Sequence, residues 1–196
     1  MEDRAQITLY SGGHRGAESE FGRLAEKWGI AEVNFSFEGH NIERSRGVRI
    51  LGPEELDKGN VSMEIVSTRM GRNFSKVDKI RKVIQSIFHM VNHGYYVIAI
   101  GWIQPDDTVK GGTGWAVELA KIFNRPISVY DQDQKQWFAW QNNDWTPEPP
   151  EIKGNTFAGT GTRNLTEDGR QAIVDLYERS FGPEDGKNYQ THSLRQ

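Results

Sequence analysis

The chain has 196 residues, 24 Lys and Arg against 27 Asp and Glu for a net charge of −3, and no cysteine. That is the length of one domain, and the charge gives no electrostatic footprint for nucleic acid or an anionic membrane surface. The missing thiols exclude disulfides, thiolate catalysis and zinc–thiolate sites.

Hydrophobic residues at 36% and aromatics at 11% suffice for a buried core, while glycine, at 21 of 196, exceeds the average usage of roughly 7%. The charged stretch Met1-Glu2-Asp3-Arg4 runs straight into an apolar strand pattern, so no signal peptide is expected. No apolar run is long enough for a membrane span, and the expected location is the cytoplasm.

Residues 7–10 predict a strand, stopped by Ser11-Gly12-Gly13-His14-Arg15-Gly16. Phe21, Leu24, Ala25 and Trp28 then mark one face of a helix, with Gly29 at its C-terminal end. Residues 33–37 alternate as a strand. Residues 39–60 are polar and read as a loop with one helical turn at 53–57, and 62–68 are expected as another short strand. Val77, Ile80, Ile84, Ile87 and Val91 keep a 3–4 spacing that predicts the longest helix over 73–93, stopped by Gly94.

The apolar run 95–100 reads as a strand buried on both faces. Gly111-Gly112-Thr113-Gly114 opens a helix over 115–123, and 126–130 is strand-like. Residues 136–150 suggest a Trp-rich hairpin and 156–158 a short strand, which leads into Gly159-Thr160-Gly161-Thr162-Arg163. A final helix over 166–181 has Thr166 as its cap. Residues 1–182 are therefore expected to form one Rossmann-like α/β domain: an open, mainly parallel sheet with helices on both faces and a small Trp-rich hairpin insertion. Residues 183–196 are expected to be a loose tail.

Eight glycines (12, 13, 16, 111, 112, 114, 159 and 161) fall in the three loops, which accounts for the excess. Glycine permits positive φ and a close ligand approach, and a following helix N-terminus offers free N–H groups to an anion. No loop has the Gly-Lys-Ser/Thr ending of a Walker motif or the full dinucleotide fingerprint. Three such loops on strand-to-helix junctions of one sheet would project to one edge, where phosphate-bearing ligands bind. Arg15, Arg72 and Arg163 are the expected phosphate partners.

These residues resemble a family. Ser-Gly-Gly-His-Arg-Gly-Ala-Glu (11–18) resembles the SGGAxGxD loop of the SLOG superfamily, Rossmann-like domains related to the cytokinin-activating LOG enzymes. Gly111 to Glu118 is similar to its GGxGTxxE signature, and Ala158 to Arg163 to the GSR loop that normally follows the first strand. Here that loop comes last, as in the circularly permuted YpsA-like branch. The resemblance covers roughly residues 7–130 and 155–181, and depends on motifs read together.

It implies a nucleotide or an ADP-ribose- or NAD-like ligand held by Ser11, Gly12, Gly13, His14, Arg15, Gly16 and Glu18 in the first loop. Gly111, Gly112, Thr113 and Gly114 would hold it in the second, and Gly159, Thr160, Gly161, Thr162 and Arg163 in the third. It adds Arg69, Arg72 and Asn73 between the first two. In the LOG enzymes a Glu and an upstream Arg act on the N-glycosidic bond of a nucleoside 5′-monophosphate. Glu118 and Arg72, with Arg69 as the rival, stand at those positions, and a carboxylate can stabilise an oxocarbenium-like ribosyl cation. Trp115 replaces the usual Thr, and His14 and Glu18 stand where Ala and Asp are usual. A molybdenum-carrier role is attached to related sequences, but no residue pattern here points to molybdenum.

Small-molecule binding is the expected function, N-glycosidic hydrolysis the first alternative, and an assembly subunit docking through 136–149 the second. The chain is expected to be a homo-oligomer that requires no cofactor and has no nucleic-acid or membrane partner. His89 and His93 lie four apart on the long helix without the Glu of a zinc-protease motif, which favours a structural role and no metal. Trp137, Trp140 and Trp145 suit core or interface packing better than a platform for a base.

Overall fold

The computed structural model describes residues 6–74 and 76–183. The expected tail lies, from residue 184 on, outside the described residues. The molecule is an α/β fold built on one eight-stranded, mostly parallel sheet. The strands are β1 (Thr8–Ser11), β2 (Ala31–Ser36), β3 (Val48–Ile50), β4 (Tyr96–Gly101), β5 (Ile127–Asp131), β6 (Gln136–Gln141), β7 (Asp144–Pro147) and β8 (Thr156–Gly161). Their order is β3-β2-β1-β8-β4-β5-β6-β7. The first six are mutually parallel, and β6 and β7 continue the sheet as an antiparallel hairpin.

Among the described residues the helices are α1 (Ala17–Lys27), α2 (Pro53–Asp57), α3 (Asn60–Met70), α4 (Asp78–His93), α5 (Thr113–Ile122) and α6 (Glu167–Phe181). Two apolar layers hold them to the sheet. Phe21 and Leu24 of α1, Trp28 at its C-cap, and Ile173, Leu176 and Tyr177 of α6 cover one face; Met63 of α3, Ile84 and Met90 of α4 and Leu119 of α5 cover the other. β4 has Val97, Ile98, Ala99 and Ile100 fully buried, as a central strand sandwiched between two helical layers requires. Among the described residues no helix is long and apolar enough to cross a membrane.

Four local readings differ. The segment expected as a strand at 62–68 is helical, because Met63, Val66 and Ser67 turn inward at helical spacing. Val61 and Ile65 are left exposed, and these apolar residues on the solvent side hide the helical period. Val48–Ile50 adds a short edge strand inside the expected loop. The long helix begins at Asp78, not 73, since Val77 is extended. β8 runs on to Gly161, so Gly159 and Thr160 are strand residues and the third loop starts at Thr162.

Strand β8, last in the chain, lies between β1 and β4. The chain leaves β1 through α1 toward β2 on one side and leaves β4 through α5 toward β5 on the other. The carboxyl ends of β1, β8 and β4 therefore lie side by side at the point where the winding reverses, which is where ligand clefts open in such sheets.

Candidate functional site

The loops after these three strands meet. Gly16 has φ 94°, and a Cβ there would lie 2.5 Å from the Thr162 carbonyl oxygen, so only glycine lets the first and third loops touch. The Ala17 amide donates to that same carbonyl at 3.0 Å, and the Ser11 hydroxyl donates to the Gly159 carbonyl at 2.7 Å. Gly111, at φ 72°, turns the second loop into α5. The Arg72 guanidinium fixes that turn, donating to the Gly111 carbonyl at 2.9 Å and to Gln104 Oε1 at 3.1 Å.

Above this edge are two adjoining hollows, of about 510 and 370 Å³, which share His14, Val83, Arg163 and Asn164 and form one cleft. One wall is a stripe of α4: Lys79, Val83, Ser86, Ile87 and Met90, spaced by three and four residues. The larger hollow carries Arg15, Lys79 and Arg163. The smaller is lined by Ile87, Met90 and Trp102, with Gly111, Gly112 and Thr113 at the N-terminus of α5.

The cleft wall contains a chain of hydrogen bonds. The Thr160 hydroxyl donates to Glu18 Oε1 at 2.9 Å, and Glu18 Oε2 accepts from the His14 amide at 3.0 Å and meets His14 Nδ1 at 2.8 Å. His14 Nε2 lies 2.8 Å from His40 Nε2, and His40 Nδ1 lies 3.0 Å from Ser36 Oγ. Burial alone would raise the Glu18 carboxyl, but His14 and Thr160 together hold it below its ordinary 4.5. His40 is pushed down from 6.5 to about 4, by burial first and then by the charge of His14, with Lys79 and Arg163 adding to it against Glu18.

His40 reaches this place from a segment with no regular structure. The Glu43 and Arg44 amides donate to the Gly13 carbonyl at 2.8 and 3.1 Å. Arg44 also grips the buried Glu32 of β2 through both carboxylate oxygens, at 3.0 and 2.7 Å, and His40 stacks on Phe37 at 4.2 Å. Nothing in the sequence marked His40; only the fold of residues 39–47 onto the first loop brings it to His14.

Of the residues singled out from sequence, His14, Arg15, Glu18, Gly111, Gly112, Thr113, Thr160, Gly161, Thr162 and Arg163 line the cleft. Gly16 lines a hollow next to it with Arg15 and Arg163. Ser11, Gly12, Gly13, Gly114 and Gly159 shape the floor and turns without being among the lining residues.

Glu118, Arg69, Arg72 and Asn73 are not among them either. Glu118 is buried on α5, 2.7 Å from Lys121 Nζ and 3.1 Å from Arg69 Nε, so Arg69 and not Arg72 is its arginine partner. Lys121 is also buried; it donates to the Asp107 carbonyl at 2.9 Å and sits 3.7 Å from the Trp140 ring centroid. Trp140 and Trp145 thus pack edge to face around a buried cation, and Trp137 packs on Tyr130. The ring nitrogens of His89 and His93 meet the carbonyls of Glu55 and His89 at 2.8 Å. Among the described residues no group of three or more His, Asp or Glu is placed to hold a metal ion.

No family model, curated protein or solved structure matches this chain.

Proposed function

We propose that the chain binds a nucleotide or nucleotide-derived small molecule across this cleft, its phosphate at the cationic end and its base at the apolar end. The observation that carries the reading is the division of one cleft into two chemistries. Among the described residues Arg15, Lys79 and Arg163 form no hydrogen bond or ion pair, so three cations converge on one hollow with their donors available. Beside them Val83, Ile87, Met90 and Trp102 offer an apolar and aromatic wall. The α5 N-terminus, which has no side-chain cap, contributes Gly112 and Thr113 to the lining of the same space, and a helix N-terminus favours an anion.

The strand order also supports a permuted SLOG-type arrangement. With the short edge strand β3 set aside, starting from β8 and continuing to β1, β2, β4 and β5 gives the doubly wound order 3-2-1-4-5, with β8 as strand one. On this reading the C-terminal strand–loop–helix unit is the transposed first unit of the fold, and hairpin β6–β7 is an addition at the sheet edge.

Thermal unfolding in the presence of AMP, ADP-ribose and NAD tests the binding. At least one of them is expected to raise the midpoint in wild type and not in Arg15→Ala/Arg163→Ala. No shift with any of the three would contradict it.

A further inference from the structure

The hydrogen bonds at the cleft wall fix where protons are. A carboxylate only accepts, so His14 Nδ1 carries the hydrogen shared with Glu18. In a neutral His14 the lone pair is then on Nε2, and the 2.8 Å contact requires His40 Nε2 to be the donor. His40 Nδ1 is left to accept from the Ser36 hydroxyl. Ser36, His40, His14 and Glu18 thus form one directed chain, and the two Nε2 atoms facing each other share a single hydrogen.

An anion set against both imidazoles changes that arrangement. It needs a donor from each ring, and two donors require a second hydrogen. The hydrogen enters at His14 Nε2, whose Nδ1 already bonds a buried carboxylate that balances the added charge. His40 keeps its donor on Nε2 and its acceptor toward Ser36, so it stays neutral, in accord with its burial and its low proton affinity. One N–H bond forms at His14 Nε2 as hydronium or a buffer acid gives up its proton, and no other covalent bond changes.

We propose that His14 and His40, with Arg15 and Arg163, form a phosphate subsite that takes a phosphomonoester together with a proton from solution. The inference rests on the nucleotide-binding reading and adds His40 and a coupled proton to it. The charged groups facing the pair are Glu18 from α1, Arg15 after β1, Lys79 from α4 and Arg163 after β8. Three of these four are cations, and a protonated His14 makes the surroundings more positive, which matches a dianion better than a singly charged diester.

The experiment is calorimetric titration of the full chain with AMP at about pH 7.5 in buffers of different ionisation enthalpy, with cyclic AMP as the diester control. Net proton uptake is expected on AMP binding, with cyclic AMP at least roughly tenfold weaker. His14→Gln should bind AMP more weakly with proton uptake near zero, whereas Arg163→Ala should weaken binding and keep the uptake. Nitrogen NMR of the histidine rings in wild type gives the same answer without a variant: His14 Nε2 should pass from unprotonated to protonated as AMP is added. AMP binding with no buffer dependence overturns the proton coupling and leaves the nucleotide reading standing. Equal affinity for cyclic AMP overturns the monoester selection. No heat with any nucleotide overturns the nucleotide reading first.

Discussion

The Thr160 hydroxyl on the last strand donates a 2.9 Å hydrogen bond to Glu18 on the first helix, joining residues 142 apart in the chain. Both groups are buried, so this bond ties the third loop to the first and also orients the carboxylate that holds His14. Removing it strips one donor from a buried anion without leaving a cavity. Thr160→Val should cost about 2 kcal/mol, read as a lower urea midpoint at unchanged slope, while Thr160→Ser should stay close to wild type.

The acid limb of stability follows from His40. Its folded-state value of about 4 lies below the ordinary 6.5, so between these limits the unfolded chain binds a proton that the folded chain refuses. Stability should fall as pH drops from 6.5 toward 4. His40→Gln should flatten the curve of denaturant midpoint against pH in that window. A curve as steep as that of wild type would show that His40 titrates normally.

Glu118 and Lys121 form a buried pair of opposite charges, with 3% and 4% of their side chains exposed. Among the described residues Glu118 Oε1 has no hydrogen-bond partner, so its contact with Lys121 is chiefly one of charge. Glu118→Gln leaves the ammonium buried without its counter-ion and should cost about 3 kcal/mol, with the melting temperature falling accordingly. Glu118→Gln/Lys121→Met should recover much of the loss, because the cost is that of the stranded charge.

Gly16→Ala should both destabilise the protein and open the cleft. The new Cβ would meet backbone at Thr162, which has no flexible end to move away, and φ 94° is strained for alanine. A loss of about 2 kcal/mol is expected, accompanied by weaker nucleotide binding as the first and third loops separate.

Much of this site is legible in the sequence, for a simple reason. Glycine runs, a continuous apolar run at 95–100 and a 3–4 apolar stripe on α4 are local signals, and local signals survive without the fold. The meeting of the loops at one edge follows from the alternation of strands and helices alone. What was not legible depends on long-range placement. His40 sits in a polar segment that only the Arg44–Glu32 ion pair and the Gly13 carbonyl fix in space. Glu118 sits at the right spacing in its motif, yet helix α5 turns it toward Lys121 and Arg69 instead of the cleft. The Trp-rich hairpin, read as packing, finds its reason in Lys121, a residue that no local pattern connects to Trp140.

The central claim is that three loops far apart in sequence build one nucleotide site, and amide NMR tests it most directly. On titrating AMP into the labelled chain, the amides of Gly13, Gly16, Gly112 and Gly161 should shift together along one saturable curve. Shifts confined to a single loop, or none at any of the four, would contradict it.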